Sequence, residues 1–86
     1  MSNFDNKELV LEALDIIKKD ARDLQFLSVE LRDNKEVVLE AVKRKGWVLV
    51  YASDRLKDNE EVVLEAVKNH KWALENASER LQVVLK

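Results

Sequence analysis

Cysteine and proline are absent from this sequence of 86 residues, glycine and histidine occur once each, and aromatic residues make up only 6% of it. Without cysteine there is no disulfide framework, no thiolate metal site and no cysteine nucleophile, and a lone histidine, His70, leaves no histidine cluster. The scarcity of glycine and proline argues against a chain built from turn-rich β-hairpins. No apolar run approaches the roughly 20 residues needed to span a bilayer. The opening Met1-Ser2-Asn3-Phe4-Asp5 has neither the basic nor the apolar stretch of a secretory signal, so the expectation is a soluble, cytoplasmic protein. A net charge of −2 supplies no global pull toward nucleic acid or an anionic membrane, and binding to either would need a local patch.

What is present is a charged and apolar chain, 37% and 47% respectively, too short for more than one domain. Self-similarity dominates it. Asp33 to Leu56 matches Asp58 to Leu81 at a separation of 25 residues, and a more divergent copy begins at Asp5. The copies divide residues 1–86 into approximate repeats 5–32, 33–57 and 58–82, the first with three extra residues between its halves. Each copy opens with Asp5, Asp33 or Asp58, followed three residues later by Glu8, Glu36 or Glu61, the spacing of a capping box. Val37, Val38, Ala41 and Val42, matched by Val62, Val63, Ala66 and Val67, then recur at i, i+1, i+4, i+5, the stripe of a helix buried along one side.

Gly46, after Lys43-Arg44-Lys45, is placed to close the middle opening helix in a left-handed conformation, and Asn69 is expected to do the same in the last copy. Trp47 to Ser53 and Trp72 to Ser78 read as second, shorter helices ending near Leu56 and Leu81. The expected architecture is all-α: three stacked helical hairpins, about six short helices, in a small solenoid or bundle-like repeat.

No catalytic constellation emerges. Ser28, Ser53 and Ser78 share one repeat position, which argues for a packing or backbone-bonding role over a nucleophile, and no base lies near them in sequence. The carboxylates sit where helix starts account for them, and His70 falls at a helix C-terminus with no companion metal ligands. Lys18-Lys19, Lys43-Arg44-Lys45 and Lys68-His70-Lys71 fall at the ends of the opening helices. Stacked in parallel they line one edge, where each favours its own helix dipole and where Lys43, Arg44, Lys45, Lys68 and Lys71 form a candidate polyanion contact. Trp47 and Trp72 are expected between hairpins, with Phe4, Phe26 and Tyr51 completing the aromatics; exposed together, Trp47, Tyr51 and Trp72 would anchor a partner. The apolar ending Val83-Val84-Leu85 either continues the last helix or leaves an uncovered end that invites another copy of the chain.

The pattern Asp-Asn-Lys/Glu-Glu-Val-Val-Leu-Glu-Ala-Val-Lys leading to Trp, Leu, Ala-Ser and Leu, at Asp33–Leu56 and Asp58–Leu81, resembles the tandem helical repeats of the family called Domain of Unknown Function 4116. The chain departs from it in the insertion before Leu24, in Leu27 for Ala52 and Ala77, in Val29 for Asp54 and Glu79, and in Lys71 where the pattern prefers glycine. The resemblance implies an all-helical repeat fold with no assigned activity and no catalytic residue to carry over. The functional expectation is a non-enzymatic interaction module, without cofactor or small-molecule substrate, that binds a protein partner or itself. A nucleic-acid or other polyanion role is the alternative.

Overall fold

The computed structural model describes residues 6–85, and among them it contains six α-helices, three 3₁₀ segments and no strand. One order recurs three times. α1 (Asn6–Lys19), η1 (Ala21–Phe26) and α2 (Val29–Arg32) are followed by α3 (Lys35–Arg44), η2 (Gly46–Tyr51) and α4 (Asp54–Lys57), then by α5 (Glu60–Asn69), η3 (Lys71–Asn76) and α6 (Glu79–Val84). The all-α repeat read from the sequence stands, but the second arm of each hairpin is two short pieces. The repeated serine causes the division. Ser53 adopts extended dihedrals so that its Oγ can accept from the Leu56 amide, and this ends η2 and starts α4; Ser28 and Ser78 do the same for Leu31 and Leu81. These hydroxyls are caps, rather than back-bonded or merely small.

The valine stripe is buried as its spacing requires, except at Val67, which is half-buried. Val37, Val38, Ala41 and Val42 of α3 and Val62, Val63 and Ala66 of α5 are fully enclosed, joined by Ala13, Ile17, Leu24, Leu49, Leu56 and Leu81 in one apolar cluster. α3 packs between α1 and α5, and η2 between η1 and η3. A long axis of 46 Å against 23 and 17 Å across fits units added in a row. α1 runs 14 residues where α3 and α5 run 10, so the extra residues before Leu24 are taken up as another turn of helix. No helix among the described residues is long and apolar enough to cross a membrane.

Two local expectations are corrected. The N-caps of α3 and α5 are Asn34 and Asn59, whose side chains accept from the Val37 and Val62 amides at 3.1 Å; Asp33 and Asp58, one residue earlier, close α2 and α4 instead. This shift puts Glu36 and Glu61 out of capping-box register, and Glu61 pairs with Lys35 of the preceding repeat at 2.6 Å. Asp5 and Phe4 lie outside the described residues.

The second correction concerns Gly46 and Asn69, neither of which is left-handed: no described residue has positive φ. Gly46 serves close approach instead. A Cβ there would run into the Ala66 carbonyl oxygen and come within 3.0 Å of the His70 Cβ, so the missing side chain lets α5 lie directly against the start of η2. Asn69 crosses the same joint, its Oδ1 accepting from the Gly46 amide at 2.6 Å and its Nδ2 donating to the Lys43 and Arg44 carbonyls at 3.2 and 3.4 Å. The open carbonyls at the end of α3 are thus met by the next repeat.

Candidate functional site

The end of α2 is tied to α4, and the end of α4 to α6, by the same polar clasp. Ser53 Oγ donates to Asp33 Oδ1 at 2.5 Å, Arg55 Nε donates to the same oxygen at 2.9 Å, and a second guanidinium nitrogen donates to the Asp33 carbonyl. Asp58, Ser78 and Arg80 repeat the arrangement at 2.7, 2.9 and 3.0 Å, and the Ser53 and Ser78 amides donate to the Arg32 and Lys57 carbonyls. The serine hydroxyl first, and the guanidinium next, holds each aspartate carboxyl below its ordinary range. These groups are therefore committed to joining successive short helices.

The third repeat presents a different surface. Where Asp33 follows α2 and Asp58 follows α4, the register places Val83, and α6 runs on to Val84 where α2 and α4 end after four residues. Val67, Trp72, Leu74 and Val83 line a mainly apolar groove of ≈ 600 Å³, with Lys71, Glu75, Glu79 and Gln82 around it. Their counterparts one repeat earlier are covered: Val42 and Leu49 are fully buried, whereas Val67 and Leu74 are half-buried and Trp72 is 68% exposed.

The three aromatic candidates therefore separate. Trp47 and Tyr51 pack against the core and meet edge to face, ring centroids 6.1 Å apart, while Trp72 alone lies open in the groove. Trp72 was expected between hairpins, and it is exposed because, among the described residues, no further repeat covers the side of η3 that faces away from η2. Phe26, the counterpart of Tyr51, is also exposed, since Arg22 occupies the position where Trp47 would supply an aromatic partner.

The basic residues of the helix ends divide among several contacts. Arg44 pairs with Glu40 at 2.8 Å, Lys68 approaches Glu65 at 3.5 Å, Lys43 adds a weaker attraction to Glu61, and Lys71 belongs to the rim of the apolar groove. Arg44 and Lys45 instead meet Lys18, Lys19 and Arg22 around a recess of ≈ 330 Å³ between the first and second repeats, with Ile17, Asp20 and Ala21 completing the wall. Asp20 caps η1 and accepts a forked pair of bonds from Arg22, which holds its carboxyl down to about 2. The sequence reading missed Arg22 because it occupies the divergent copy, at a position that is tryptophan in the other two.

A family model described as Domain of unknown function (DUF4116) matches the chain twice, over residues 6–54 and 34–82. The two matched stretches share residues 34–54, most of the second repeat, consistent with the tandem order of the fold. No curated protein and no solved structure matches the chain.

Proposed function

This chain belongs to the family described as Domain of unknown function (DUF4116), and from that premise we propose that it is a non-enzymatic interaction module whose open third repeat receives an amphipathic helix of a partner protein. The carrying observation is the groove beside Trp72: a concave apolar surface whose equivalents in the preceding repeat are filled by helical structure. A helix is the element this kind of face takes inside the stack, and Trp72 is the sort of large amphipathic side chain that dominates such contacts. Charge refines the fit. Two acids, Glu75 and Glu79, face Lys71 around the groove, which favours a helix whose apolar stripe is flanked by basic residues.

A second copy of the chain is the less favoured occupant. It would have to sit on Lys71 and Val83, where the joint between the second and third repeats uses Gly46 and Asp58. The test is fluorescence anisotropy with two labelled helical peptides of leucine heptads, one flanked by lysine and one by glutamate. Saturable binding of the lysine peptide, and its loss in Val83→Asp, is the expected result. That variant adds negative charge, so merely electrostatic attraction would strengthen instead. Unchanged binding by Val83→Asp overturns the reading, and a doubled mass by light scattering without peptide replaces it with self-association.

A further inference from the structure

The recess between the first and second repeats has a matched place between the second and third, and the two are chemically opposite. α1, α3 and α5 end on Lys19, Arg44 and Asn69, and η1, η2 and η3 begin with Ala21, Gly46 and Lys71. Between the second and third repeats Asn69 fills the joint, giving an acceptor to the Gly46 amide and donors to two carbonyls. Between the first and second repeats the corresponding residue is Arg44, which carries donors and no acceptor and turns to Glu40 instead. What remains is an open volume of ≈ 330 Å³ surrounded by Lys18, Lys19, Arg22, Arg44 and Lys45.

Charge there exceeds what the helix ends require. A cation near each of two C-termini satisfies the dipoles, yet five converge on the recess. Asp20 offsets Arg22 and Glu40 offsets Arg44, which leaves the three lysine charges in excess in a protein whose net charge is −2. From this juxtaposition we propose that the recess binds a compact phosphate anion, of the class of pyrophosphate or a phosphorylated small molecule. Such a ligand brings the acceptor oxygens that Arg44 cannot, and the guanidinium and ammonium groups supply the donors. The recess is at the low end of the size range of small-molecule sites, which suits a short anion over an extended chain. The acidic total also opposes a long polyanion while leaving this local field intact.

Titration of the ¹⁵N-labelled protein with inorganic pyrophosphate, at low and physiological salt, tests the site independently of the groove beside Trp72. Saturable shift changes confined to the amides of residues 18–22 and 44–46 are expected, weakened about tenfold by Lys45→Glu and unchanged by Lys68→Glu. Should Lys45→Glu melt early, the double variant Lys18→Gln, Lys19→Gln takes its place and is expected to weaken binding likewise. Changes spread evenly over lysines elsewhere, no change at all, or full binding by folded Lys45→Glu or by the folded double variant overturns the proposal. So does a single-stranded oligonucleotide that binds more tightly than pyrophosphate and in proportion to its length, which would make the surface a track for an extended strand.

Discussion

The second and third repeats are close to the same sequence, yet the second is enclosed and the third is half open. Val42 and Leu49 are fully buried where Val67 and Leu74 are not, and Trp47 packs on the core where Trp72 faces water. What a residue does in this fold depends on what is packed against it. The strongest blow to that comparison falls on positions buried in both units: Val38→Asp and Val63→Asp each force an unpaired charge into the shared interior, and both are expected to abolish the helical signal in circular dichroism. Two variants that melted like the wild type would mean that the buried face has been wrongly assigned.

A smaller effect separates the repeats directly. Leu49→Ala empties a fully enclosed site and is expected to cost about 2–5 kcal/mol, whereas Leu74→Ala, at the same register but half-buried, is expected to cost less than half as much by denaturant unfolding. Equal losses would mean that the open end is covered in solution. The smallest effect concerns the clasps. Because the Asp33 and Asp58 carboxyls titrate lower in the folded chain than in the unfolded one, their contribution is complete above the unfolded value near 4 and fades as pH falls through the folded values. Asp33→Asn and Asp58→Asn are each expected to flatten the acid side of the melting-temperature profile by a similar amount. Val83→Asp, which adds an acid where no serine and arginine meet it, is expected to leave that limb unchanged.

The sequence displayed this fold unevenly, for physical reasons. Val37, Val38, Ala41 and Val42 announce a buried helix because burial on one side imposes a period that survives in the letters. The capping residue was read one position early because aspartate and asparagine are both good caps, and the distinction lies in Ser53 and Arg55, which reach Asp33 across some twenty residues of chain. The break between η2 and α4 was hidden for a similar reason, since a serine inside a helix and a serine starting one look alike until the dihedrals are known. Of the candidate sites, Trp72 is legible as an aromatic but not as an exposed one, and the basic recess is half legible: Arg44 and Lys45 stand in a clear basic run, while Arg22 stands in the divergent copy where the other two carry tryptophan. Both misses depend on neighbours, which periodicity does not encode.

Gly46 and Lys71 occupy the same step of successive units, and the difference between them bears on what a further unit would meet. A surface that presents its own complement at a fixed increment produces open-ended fibres, as any head-to-tail contact that fails to close must do. Here the increment is interrupted: a further unit approaching as α5 approaches Gly46 would meet the Lys71 side chain, and would find Val83 in the place of the carboxylate that greets Ser78 and Arg80. One bulky cation and one hydrocarbon branch thus act as punctuation, opposing a further unit added in the same register.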